Sequence, residues 1–162
     1  GDVAEYQHAI VKMALEMDDR ATAEAMLSRL LDAESLAAES CFLQGELTAA
    51  YRTDENCWEW YVLALQKDPE YEWAAAALLG CIEQAKPEEL PEIGLLLDAL
   101  SVANGDIFYV LGMALLRAGD DTGSSYLDKA VRAGFAADFQ QVREDVASLP
   151  AELREQALES LF

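Results

Sequence analysis

The sequence predicts an all-α chain, and three observations carry that reading. Only 4 prolines and 9 glycines occur in 162 residues, Ala, Leu and Glu dominate, and no strict apolar alternation runs longer than a few residues. Apolar residues instead recur at helical spacing. Val3, Tyr6, Ile10, Met13 and Met17 form a first stripe, Asp18-Asp19-Arg20 interrupts it, and Ala23, Met26, Leu27, Leu30 and Leu31 form a second. The alternation of stripe and break continues over residues 36–51, 56–66, 72–84, 91–100, 106–117, 124–133, 137–149 and 150–161. Roughly ten helices of two to four turns are expected.

The breaks have their own local chemistry. Asp54 is placed to cap the helix that starts near Asn56, and Asp68-Pro69 stops it. Asn104-Gly105-Asp106 reads as a left-handed stop followed by a new cap, and Gly119-Asp120-Asp121-Thr122 as a turn. Pro91 and Pro150 suit first-turn positions. Glu88, Glu89, Glu92 and Glu152 sit near helix starts, where the helix dipole favours negative charge.

Composition bounds the function. With 52% hydrophobic and 26% charged residues the chain buries enough apolar surface to fold as one unit of ordinary domain size. Eleven basic side chains face 31 acidic ones, a net charge of −20 that repels a phosphate backbone and an anionic membrane surface alike. No nucleic-acid partner is expected. Residues 1–81 carry 5 basic and 16 acidic side chains and residues 82–162 carry 6 and 15, so the acidity covers the whole surface rather than a tail. The longest uncharged apolar run, Trp73 to Ile82, is far shorter than the roughly 20 residues of a membrane span. Gly1-Asp2-Val3-Ala4-Glu5 lacks the positive start and apolar core of a secretory leader. A cytoplasmic location is expected, with the periplasm as the alternative if an upstream segment has been removed. Cys41, Cys57 and Cys81 are odd in number and without CxxC spacing, which predicts mostly buried thiols.

An internal beat of 34 residues is the most specific signal. Residues 4–37 align with 38–71 without a gap, placing Ala23 over Cys57, Leu27 over Tyr61, Leu30 over Ala64 and Ser35 over Pro69. The second unit reads Cys41-x2-Gln44-Gly45, then Cys57-x3-Tyr61-x2-Ala64-x4-Pro69. A later one reads Phe108-x2-Leu111-Gly112-x2-Leu115, then Gly119-Asp120, then Gly123-x3-Leu127-x2-Ala130. These residues resemble the tetratricopeptide repeat, although Thr48 stands where that family has Tyr. Leu79-Gly80, followed by the connection from Lys86 to Pro91, looks like a divergent unit. The resemblance implies a right-handed α-α superhelix, a helix-pair solenoid with units at about 4–37, 38–71, 72–105 and 105–136, closed by a terminal helix pair over 137–162. Small residues at Gly45, Gly80 and Gly112 would let the first helix of a pair approach the second, with Tyr61 or Leu127 filling the gap.

Motifs for catalysis are sparse. His8 is the only histidine, so any Ser-His-acid or Cys-His mechanism must pass through it. Glu5 and His8 lie one helical turn apart, but a third metal ligand and an HExxH motif are missing, and His8 reads as an exposed or groove histidine. The stretch from Gly119 to Ser125 lacks the Lys of a phosphate loop and the Glu of a calcium loop. No enzymatic activity, cofactor or metal is expected. Trp58, Tyr61, Phe108 and Tyr126 read as core, and Trp60 as an exposed contact.

The resemblance implies a concave groove lined by the first helices, and with it a function of binding rather than catalysis. Carried over position by position, the groove-facing register gives Glu5, His8, Lys12, Glu16, Glu39, Phe42, Glu46 and Ala49, then Ala77, Cys81, Tyr109, Met113 and Arg117. The expected function is that of an adaptor or chaperone-like interaction module, of bacterial type, taking a basic amphipathic peptide or helix. The Lys, Asn and Arg clamp by which some family members grip acidic C-termini is missing. Alternatives are a secretion-type chaperone that shields an apolar partner, the non-catalytic domain of a larger enzyme, or a scaffold or homo-oligomer packing through Leu153, Leu158, Leu161 and Phe162.

Overall fold

The structure is a computed structural model and describes residues 3–32, 37–136 and 138–162. Ten helices stand among the described residues, and they contain no strand. They are α1 (Val3–Glu16), α2 (Arg20–Leu31), α3 (Ala38–Tyr51), α4 (Cys57–Lys67), α5 (Glu72–Gln84), α6 (Glu89–Ala99), α7 (Gly105–Arg117), α8 (Gly123–Arg132), α9 (Phe139–Ala147) and α10 (Ala151–Leu161). None of them is long and apolar enough to cross a membrane. The positions Ser35, Leu36 and Ala137, used above for alignment and helix starts, lie outside the described residues. Contacts divide the chain within α5 into two compact units, Gly1–Ala77 and Leu78–Phe162.

Side-chain caps open three of the helices. Asp19 accepts from the Thr22 amide at 3.1 Å to open α2, Asn104 from the Ile107 amide at 3.0 Å to open α7, and Asp138 from the Gln140 amide at 2.9 Å to open α9. Three expectations about caps change. The α4 cap is Asn56 rather than Asp54, and it makes no side-chain bond. Asn104 is extended, and the left-handed residue ahead of α7 is Ser101 (φ 55°). Pro150 caps α10 from outside rather than entering its first turn.

In the first unit α1 pairs with α2 and α3 with α4, while α3 also packs on both α1 and α2. The buried contact is made by Val11, Ala14, Ala23, Leu27, Leu30, Leu43 and Leu47. Tyr51 closes the seam by donating to Asp18 Oδ1 at 2.8 Å, in the α1–α2 turn. In the second unit α7 pairs with α8, α6 packs on α7, and α10 packs on α8 and α9. Arg154 donates to the carbonyls of Ala147 and Leu149, satisfying groups at the end of α9. The terminal residues expected to form an interface divide: Leu161 is buried, Leu153 half-buried, and Leu158 and Phe162 are exposed.

Two of the three small-residue contacts that the resemblance implies are present, at Gly45 and Gly112. A Cβ on Gly45 would lie 2.5 Å from Tyr61 Cε1, and one on Gly112 would lie 2.8 Å from the Gly123 carbonyl oxygen and from Leu127 Cδ2. Gly80 departs from the expectation: a Cβ there meets nothing within 4 Å. Gly94 is a close contact that the repeat pattern did not mark, its Cβ position being filled by the Tyr126 hydroxyl. Trp58 is buried as expected, while Trp60 is half-buried rather than exposed.

These contacts predict opposite effects of the same substitution. Gly112→Ala forces a methyl against backbone and is expected to cost about 1–3 kcal/mol. Gly80→Ala meets no neighbour and removes the entropy cost of glycine in a helix, so it is expected to gain about 0.5–1 kcal/mol. Urea unfolding of both variants tests this, and equal shifts of the same sign would refute the assignment of the seam.

Candidate functional site

Helical spacing brings the candidate residues of the first unit together. On α1, Lys12 and Glu16 are four apart; on α3, Glu39, Phe42 and Glu46 are three and four apart, so each set shares one helix face. Lys12, Glu16, Phe42 and Glu46 line one cavity of about 350 Å³, with Leu15, Leu43, Tyr71 and Trp73 completing the wall. The Phe42 ring meets Tyr71 edge-on at 5.6 Å and Tyr61 at 5.9 Å. Trp73 is 71% exposed. The sequence reading missed Tyr71 and Trp73, which flank the start of α5 outside the repeat motif.

Charge around this cavity is uneven. Lys12 Nζ lies 2.5 Å from Glu39 Oε1, so the one cation in the wall is already matched. Glu46 accepts from the Tyr61 hydroxyl at 2.6 Å, and no cation pairs with Glu46 or Glu16 among the described residues. Tyr71 registers the resulting field. Its hydroxyl is pushed up to about 12, first by burial and then by the charges of Glu39, Asp68 and Glu46.

His8 does not line the cavity and is only 5% exposed, against the expectation of an exposed or groove position. Its Nε2 lies 2.8 Å from Ser40 Oγ and its Nδ1 3.2 Å from Glu39 Oε2. The order Ser40, His8, Glu39 is that of a nucleophile, a base and an orienting acid. Ser40 is buried as well, however, and the neighbouring cavity is walled by other residues, so these contacts serve as a polar tie between α1 and α3. Glu39 is the hub of that tie; it does not line the cavity but pairs with Lys12, which does.

In the second unit two of the expected binding residues, Tyr109 and Met113, are buried. Met113 is 1% exposed and packs in the core. Tyr109 is buried, stacked on Phe135 at 4.3 Å, and donates to Asp145 Oδ2 at 2.6 Å. Arg117 keeps an exposed side chain but donates to Ser148 Oγ at 3.1 Å and to Asp145 Oδ1 at 3.4 Å. Asp145 on α9 and Ser148 just after it thus take up the polar groups of Tyr109 and Arg117. Cys81 is half-buried on α5, Cys57 half-buried, and Cys41 buried with its thiol pushed up by desolvation.

The arrangement defines an all-helical protein of paired helices with an acid-rimmed apolar cavity in its first unit. The chain matches no protein-family model, no curated protein and no solved structure.

The raised tyrosines predict an alkaline limit to stability. Tyr71 and Tyr126 ionise near 10 when unfolded but only at about 12 when folded, so the unfolded chain loses protons first. Stability is present in full below pH 10 and is expected to fall as pH rises from 10 toward 12. Urea midpoints measured across that window test the sign. Tyr71→Phe, which cannot ionise, should flatten the fall, and an unchanged slope would show that Tyr71 is not responsible.

Proposed function

We propose that this chain is a non-catalytic protein-interaction module, a helix-pair solenoid of the tetratricopeptide kind, that holds a basic amphipathic peptide or helix against α1 and α3. The observation that carries this reading is the cavity walled by Leu15, Phe42, Leu43, Tyr71 and Trp73 and rimmed by Glu16 and Glu46. Apolar anchors of a guest would enter the aromatic wall while its cations meet the two carboxylates. The net charge of −20 would draw such a guest in and act mainly on the association rate. An acidic peptide is disfavoured, because Lys12 is matched by Glu39 and leaves no cation in the wall for a carboxylate.

A second reading, a scaffold or the non-catalytic domain of a larger assembly, draws on the exposed rings of Phe139 and Phe162. They lie 6.1 Å apart on the second unit.

Titration with a synthetic Arg/Leu helical peptide and its Glu/Leu counterpart tests the first reading. The basic peptide is expected to bind and to weaken with salt, and the acidic one to bind negligibly. Phe42→Ala combined with Glu46→Lys should weaken the basic peptide at least about tenfold, or about 1.4 kcal/mol. Salt-independent binding that the double variant leaves intact would refute the placement.

A further inference from the structure

Only two asparagines occur in the chain, Asn56 and Asn104, and each stands immediately before a helix, α4 and α7. Asn56 is followed by Cys57 and Asn104 by Gly105. That difference separates their chemistry. The backbone nitrogen after an asparagine can attack the side-chain carbonyl carbon, and a glycine there leaves the approach open because it carries no Cβ.

Packing requires the glycine at 105. A Cβ there would lie 3.0 Å from the Phe135 amide nitrogen and 3.1 Å from Phe135 Cβ, and the Phe135 ring stacks on Tyr109 at 4.3 Å. The close approach of α7 to the chain leaving α8 therefore keeps a reactive dipeptide in place. The folded cap holds its two reacting atoms apart. Ring closure needs the Asn104 Cβ to eclipse the Gly105 nitrogen about the Cα–C bond, and at ψ 119° the two stand roughly a third of a turn apart. Two hydrogen bonds resist the rotation: Asn104 Oδ1 accepts from the Ile107 amide at 3.0 Å, and the Asn104 carbonyl accepts from the Phe108 amide at 3.0 Å. Both are lost only when the first turn of α7 opens.

We infer that Asn104-Gly105 is a self-modification site, protected by the capped fold and released when the first turn of α7 frays. Base removes the Gly105 amide proton, the nitrogen bonds to Asn104 Cγ, and the Cγ–Nδ2 bond breaks to release ammonia, leaving a five-membered imide. Water then adds to either imide carbonyl and cleaves its bond to nitrogen, giving aspartate or isoaspartate; nothing is oxidised or reduced. The two products differ at the cap. Aspartate keeps an acceptor for the Ile107 amide and adds negative charge at the positive end of α7. In isoaspartate the main chain runs through Cβ, one carbon longer, and the remaining carboxylate sits directly on Cα. The cap is lost, and with it the register in which Gly105 meets Phe135.

Incubation of the full chain at mildly alkaline pH, folded and in guanidinium chloride, followed by peptide mapping, tests the site. In denaturant Asn104 is expected to exchange ammonia for water at least about tenfold faster than in the folded chain. Asn56 is expected to stay largely intact over the same period. Equal rates with and without denaturant overturn the protection, and an Asn56 that converts as fast as Asn104 in denaturant overturns the role of Gly105. The consequence is read on the isoaspartyl chain isolated from the incubation. It is expected to unfold at lower urea than the unmodified chain, while freshly prepared Asn104→Asp unfolds no earlier. Equal midpoints for the isoaspartyl and unmodified chains overturn the loss of the cap.

Discussion

Everything in the hairpins depends on how closely two helices can approach. Where α3 meets α4 and where α7 meets α8, one helix carries a glycine at the contact and the other sends a ring, a Leu side chain or a backbone carbonyl into the space a side chain would take. Gly112 and Gly123 do this reciprocally, each lying against the other's backbone. Close approach then brings the flanking apolar residues into contact, so that Leu43, Leu47, Leu111 and Leu115 are almost wholly buried by helices of only three or four turns. Helices this short are marginal alone, and packing gives them their stability.

The second level of order is polar. Glu39 holds both His8 and Lys12, and Asp98 holds both Lys129 and the Tyr126 hydroxyl. Each carboxylate ties together residues 27 or more positions away in sequence, and each sits beside an aromatic or apolar contact. In a chain with almost three acids for every base, such shared carboxylates decide which cations are left over. In the first unit the answer is that Lys12 is matched while Glu16 and Glu46 are not. The chemistry of the cavity follows from that imbalance.

Most of the helices were legible in the sequence because their signals are local. Asp19, the Asn104 neighbourhood and the 34-residue beat act within a few residues or one repeat, whereas the Tyr61–Gly45 contact was expected from the resemblance to the tetratricopeptide pattern. The site was less legible. Lys12, Glu16, Phe42 and Glu46 follow from helix-face arithmetic, but Tyr71 and Trp73 enter from a connection that no periodicity describes. His8 went wrong because its partner Ser40 lies 32 residues away on another helix. Tyr109 went wrong for the same reason, since Asp145 is 36 residues distant and nothing in α7 announces that α9 will reach it. Periodicity shows which face of a helix is apolar, and only the fold shows what lies against it.

The position of Trp73 has a consequence of its own. Its indole stands largely in water at the mouth of the cavity, whereas Trp58 is enclosed and Trp60 half-enclosed. A chain laid across that mouth would dry one indole and leave the other two much as they were. The molecule thus carries an intrinsic optical gauge, and a blue shift in its ultraviolet emission would report occupancy without any added dye.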